Sequence, residues 1–145
     1  MEIVNRQVRH NYIVNETIEA GIVLSGTEIK SIRNGKCNIK DSYAIIKNYE
    51  VFLLNAHIDL YEQGNIFNHE EKRTRKLLLH KKEILKLNNK VTLDGYTLIP
   101  LRIYFKNGLA KVEIGICKGK KNYDKKEALK ERDIQREMDK IVKYH

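Results

Sequence analysis

The segment from Ile99 to Ile116 constrains the fold more than any other part of the chain. Ile99, Leu101, Ile103 and Phe105 alternate with Arg102, Tyr104 and Lys106, and Ala110, Val112, Ile114 and Ile116 resume the alternation after Asn107 and Gly108. A period of two puts one set of side chains on one face of a strand. Asn-Gly is the preferred pair for a two-residue type I′ turn, in which both residues take positive φ. The pattern predicts a hairpin with one buried face, and such a face needs further sheet to cover it.

Other segments supply that sheet. Ile18, Ala20, Ile22 and Leu24 alternate as a strand, and Arg9 to Val14 is expected to pair with them as a first hairpin turning at Asn15 and Glu16. Ser42 to Ile58 reads as another hairpin, turning near Lys47 to Glu50. Between these, Ser25 followed by Glu28 matches a capping box and predicts a short helix with Ile29 and Ile32 on its face, ended by Asn34 and Gly35. Lys81 to Asn89 predicts a second short helix with Ile84 and Leu87 turned inward. The expected fold is mainly β: a closed antiparallel barrel of about six strands with short inserted helices, since closure removes exposed edges.

The 145 residues suit one core able to bury roughly two thirds of the unfolded surface. Residues 1–117 are expected to form the barrel and 118–145 a basic tail. In the tail Ile134, Met138, Ile141 and Val142 keep helical spacing on a narrow stripe outnumbered by charges. A solvated, frayed terminus and a helix formed on a partner both fit that pattern.

A net charge of +9 points to an acidic partner such as RNA, DNA or anionic lipid. Its placement says more. From Gly64 to Ile84, Lys72, Arg73, Arg75, Lys76, Lys81 and Lys82 surround Leu77, Leu78 and Leu79. Buried cations are costly unless paired, so the leucines are expected to anchor an edge to the core while the cations face phosphate or water. A second cluster, Lys118, Lys120, Lys121, Lys125 and Lys126, embeds Tyr123, a ring able to stack on a base. For both clusters a solvated charge run is the alternative.

Chemistry-bearing patterns are few. The five histidines form no metal-binding spacing, and Cys37 and Cys117 read as free thiols of a reducing compartment. His10 suits a surface hydrogen bond or an RNA contact. Glu19, Glu28, Asp41, Glu50 and Asp59 are dispersed, and Lys118, Gly119, Lys120 and Lys121 lack the spacing of a phosphate-binding loop. The expectation is no enzyme, no metal and no cofactor. With no long apolar run and a polar start from Met1 to His10, the expected location is the cytoplasm, away from membranes.

Five blocks, GTEIKSIRNGK from Gly26, DSYAII from Asp41, RTRKLLLHKKEI from Arg73, GYTLIPL from Gly95 and KGKKNYDKK from Lys118, together resemble the bacterial SsrA-binding protein family, SmpB. The resemblance spans nearly the whole chain. It implies an OB-fold-like, RNA-binding barrel that partners transfer-messenger RNA in trans-translation, the rescue of stalled ribosomes. On this resemblance a monomeric, non-catalytic adaptor grips the tRNA-like domain with its barrel, while its tail enters the decoding centre and message channel of the ribosome.

The implied RNA-binding residues are Asn5, Arg9, His10, Glu19, Arg73, Arg75, Lys76 and Leu78. Those implied for the ribosome-contacting tail are Lys118, Lys120, Lys121, Tyr123, Asp124, Lys125, Lys126, Lys130 and Arg132. Gln7 and Val8 depart from the family's usual start, and Lys126 stands where the family usually has Arg, keeping charge without the planar fork. A general RNA-binding barrel, such as a ribosomal protein or a tRNA chaperone, is the alternative.

Overall fold

The computed structural model describes residues 2–63 and 68–120. In chain order the elements are β1 (Glu2–Val4), α1 (Val8–Asn11), β2 (Tyr12–Ile22), α2 (Gly26–Arg33), β3 (Cys37–Asn38), β4 (Tyr43–Lys47), β5 (Glu50–Leu54), β6 (His57–Ile58), β7 (Arg75–Leu78), α3 (Lys81–Thr92), β8 (Thr97–Lys106) and β9 (Leu109–Gly119). Seven strands form one antiparallel sheet in the order β1-β8-β4-β5-β7-β2-β9, with β8 pairing β9 as well, and β3 and β6 form a separate pair. Short helices beside an antiparallel sheet of this order are consistent with an OB-fold-like topology.

The β8–β9 hairpin turns on Asn107 (φ 52°) and Gly108 (φ 80°), and the β4–β5 hairpin on Asn48 (φ 54°) and Tyr49 (φ 61°). Both therefore carry the left-handed residue pairs that type I′ turns require. The capping box of α2 forms as expected: the Ser25 hydroxyl accepts from the Glu28 amide at 3.3 Å, and Glu28 Oε1 accepts from the Ser25 amide at 2.8 Å. Helix α3 runs three residues beyond Asn89 and buries Leu87.

The expected first hairpin does not exist. Residues Tyr12 to Ile22 are one strand along β9, and the register shifts between Val14 and Glu16. Asn15 is thus the extra residue of a β-bulge, which unsettles the alternation without reversing the chain. A second shift between Pro100 and Arg102 acts likewise in β8. Bulges change which face a strand buries. Ile103, Val112, Ile114, Ile116, Ala20, Leu53 and Leu77 fill the main core, whereas Ile99 and Leu101 join Val8 and Cys117 in a second cluster flanked by Tyr12 and Val14. The single inward face expected for Ile99 through Phe105 is therefore split between two clusters.

Strand β7 alternates Arg75 and Leu77 inward with Lys76 and Leu78 outward. Strand β9 continues through Lys118, opposite Ile13, and Gly119, opposite Tyr12. Lys121, Tyr123, Asp124, Lys125, Lys126, Lys130 and Arg132, and the tail stripe at Ile134, Met138, Ile141 and Val142, lie outside the described residues. Among the described residues no helix is long and apolar enough to cross a membrane.

Candidate nucleic-acid interface

The register brings Glu19, Lys76 and Leu78 to one outer surface. Gly21 lies opposite Leu78 on β7 and Lys111 on β9, and Lys111 in turn lies opposite Tyr104 on β8. Glu19, two residues along β2 from Gly21, shares its face. A Cβ on Gly21 would come within 3.3 Å of the Leu78 Cβ, so glycine lets the leucine lie flat across β2. Leu78 is 51% exposed, an apolar residue presented to solvent among charges. Beside it Lys76 Nζ meets Glu50 Oε2 at 2.8 Å in an exposed pair. Such pairs are nearly neutral in energy, which leaves the ammonium available to a phosphate.

Arg73 borders this surface. Its Nε and terminal nitrogen donate to Glu28 at 3.1 and 2.6 Å, and it also donates to the Val23 carbonyl at 3.2 Å. It is 38% exposed, held at the rim with its charge half spent on Glu28.

Arg75 is a correction. Its side chain has 0% exposure, so it does not reach a ligand. It donates through Nε to Glu28 Oε2 at 2.7 Å, to the Ala56 carbonyl at 2.7 Å, and to the carbonyls of Glu70 and Glu71 at 3.3 and 3.1 Å. These bonds draw the guanidinium inward, tying β7 to α2 and to the segment before it. Burial alone would raise the Glu28 carboxyl; the Arg73 hydrogen bonds, the Ser25 amide and Arg75 outweigh it and bring the carboxyl to about 2.

Asn5 is likewise turned inward. It is 4% exposed, donating to the carbonyls of Ile39 and Pro100 at 3.2 and 3.0 Å and accepting from the Gln7 amide at 3.2 Å. Its amide shapes the turn between β1 and α1 instead of facing outward. That turn presents Arg9 and His10, both exposed on α1. Lys120 Nζ donates to the Arg9 carbonyl at 3.4 Å, so the end of β9 and α1 lie together. Lys118 stacks over the Tyr96 ring at 4.8 Å. Since Tyr12 to Glu19 spans about 23 Å of strand, the implied residues fall into two regions: Glu19, Lys76, Leu78 and Arg73 at one, Arg9, His10, Lys118 and Lys120 at the other.

Sequence reasoning left out a network around Glu19. The Tyr104 hydroxyl donates to Glu19 Oε2, and Lys106 Nζ lies 3.6 Å from Oε1. Arg102 stacks on the Tyr104 ring at 4.2 Å and bonds Glu113 and Glu2 at 2.9 and 3.0 Å. The signal available was the outward alternation of Arg102, Tyr104 and Lys106; their adjacency to Glu19 is purely tertiary.

Among the described residues no group of His, Cys, Asp and Glu is placed to hold a metal ion. An OB-fold-like sheet whose outer face carries an exposed leucine, rings and paired charges has the build of a nucleic-acid-binding protein. The chain belongs to the SmpB family, whose model, described as SmpB protein, matches residues 2–144. It is 60% identical to the SsrA-binding protein of Shouchella clausii (strain KSM-K16) over 96% of this chain and 89% of that one. The SsrA-binding protein of Geobacillus thermodenitrificans (strain NG80-2) is 58% identical over 96% of this chain and 90% of its own. A solved structure described as "tmRNA-SmpB: a journey to the center of the bacterial ribosome" superposes with a TM-score of 0.69 at 48% identity, covering 82% of this chain and 84% of that chain.

Proposed function

We propose that this protein is a non-catalytic, cytoplasmic RNA-binding adaptor that holds the tRNA-like domain of transfer-messenger RNA and brings it to stalled ribosomes for trans-translation. The match to the tmRNA-SmpB structure, over most of both chains at 48% identity, carries this reading. Its scaffold is a closed antiparallel barrel of six strands, a reading supported by the pairing of β8 with both β4 and β9. The barrel takes in β9 to its end at Gly119, the basic tail follows it, and the adaptor works as a monomer without a cofactor.

The RNA lies on the surface of Glu19, Lys76 and Leu78 with Arg73 at its rim. Leu78 packs on an unstacked base, Lys76 and Arg73 meet phosphates, and Glu19 accepts from a base or ribose donor. Arg75 shapes that surface from within, and Asn5 shapes the turn that presents Arg9 and His10. Arg9 and His10 contact RNA at the far end of β2, beside the start of the tail. From there Lys118, Lys120, Lys121, Tyr123, Asp124, Lys125, Lys126, Lys130 and Arg132 contact the ribosome.

A competition assay tests the reading. The tRNA-like domain of transfer-messenger RNA is expected to displace labelled complex at much lower concentration than an elongator tRNA or an rRNA fragment; equal competition would make the protein a general RNA binder. A chain ended after Lys121 is expected to keep near-normal affinity for that RNA yet fail to support tagging on stalled ribosomes. Full tagging by the truncated chain would refute the tail's role.

A further inference from the structure

We infer that Tyr104 is a positioning residue of the RNA surface, its hydroxyl fixing the Glu19 carboxylate so that the remaining acceptor positions are ready for hydroxyl or N–H donors of the RNA. The inference rests on the reading of Glu19 as an RNA contact.

The geometry carries it. Glu19 is on β2 and Tyr104 on β8, with β9 between them, so the bond from the Tyr104 hydroxyl to Glu19 Oε2 spans a strand. A side chain reaching that far over a sheet loses its place unless something holds the ring. Here the Arg102 guanidinium lies 4.2 Å from the ring centroid, and Arg102 is itself tied to Glu113 on β9 at 2.9 Å and Glu2 on β1 at 3.0 Å. The clamp therefore runs from β1 through β8 and β9 to β2. A carboxylate offers about four lone-pair sites, and the Tyr104 hydroxyl takes one. Lys106 Nζ, at 3.6 Å, is an ion-pair neighbour beyond hydrogen-bond length.

An exposed glutamate on a strand would otherwise sample several rotamers and lose that freedom on binding. Fixing it beforehand raises affinity without adding a contact. The charged groups beside Glu19 are Lys106 from β8 and Lys111 and Glu113 from β9, with Arg102 of β8 on the far side of Glu113. The Tyr104 hydrogen bond, opposed by partial desolvation and aided by Lys106 and Lys111, holds the Glu19 carboxyl below its usual value. Burial, then the bond to Glu19, pushes the phenol up to about 12. The donor and the anion therefore keep their roles throughout the physiological range.

Tyr104→Phe removes the hydroxyl and keeps the ring on which Arg102 stacks. Affinity of the full chain for the tRNA-like domain is expected to fall roughly three- to tenfold, and Tyr104→Phe is expected to add nothing in a Glu19→Ala background. The Glu19 carboxyl carbon, followed by NMR, is expected to titrate at higher pH in the Tyr104→Phe protein. Wild-type affinity in Tyr104→Phe alongside weakened Glu19→Ala would overturn the inference and leave the RNA contact standing. Additive losses in the double variant, or an unmoved Glu19 titration, would also overturn it. Wild-type affinity in Glu19→Ala would instead remove the contact reading, and with it this inference.

Discussion

Glu28→Gln is the perturbation with the largest expected effect on stability. The carboxylate has 0% exposure and is bonded by Arg75, also 0% exposed, and by Arg73. Gln keeps the shape and one acceptor but leaves the Arg75 charge buried without its counter-ion. Breaking such a pair from one side costs about 3–5 kcal/mol. The titration gives a second measure: a carboxyl moved from 4.5 to about 2 contributes about 3 kcal/mol at neutral pH. The two agree. Because the folded carboxyl titrates below the unfolded one, the contribution is complete above about pH 4.5 and is lost as pH falls toward 2. Urea unfolding at pH 7 is expected to show the full deficit in Glu28→Gln, and at pH 3 the gap to the parent is expected to narrow by about 2 kcal/mol. Arg73→Ala, removing a partly exposed partner, is expected to cost at most about 1 kcal/mol. A Glu28→Gln protein within about 1 kcal/mol of the parent at pH 7, or a gap equally wide at both pH values, would refute the view that this carboxylate anchors the two arginines.

Lys76→Ala is expected to leave thermal stability unchanged while lowering the slope of log affinity against log salt by roughly 0.7 to 0.9; an unchanged slope would place the phosphates elsewhere. Burial raises the thiols of Cys37 and Cys117 to about 12 and about 11, so both are expected to react with a disulfide reagent at neutral pH only on unfolding, and prompt labelling of the native protein would contradict that.

Local chemistry in the sequence settled whatever depended on neighbours in the chain. Asn107-Gly108 and the alternation beside it determined the β8–β9 hairpin, because turn φ values and a period of two are set within a few residues. Ser25 and Glu28 determined the start of α2 for the same reason, their hydrogen bonds closing over three residues. The recurrence of five blocks identified the family without any structure.

Only the tertiary structure decided which charges are surface and which are core. In the run from Lys72 to Lys76 nothing local distinguishes Arg75 from Lys76, yet a strand turns them to opposite faces, and the inward one survives because Glu28, 47 residues away, meets it. The bulges at Asn15 and Leu101 were equally hidden, since a bulge preserves hydrophobic content while reversing phase, and the partner strand β9 sets the register. Tyr104 lies 85 residues from Glu19. Their bond follows from the order of β8, β9 and β2 in the sheet, a property of strand pairing that no stretch of sequence carries by itself.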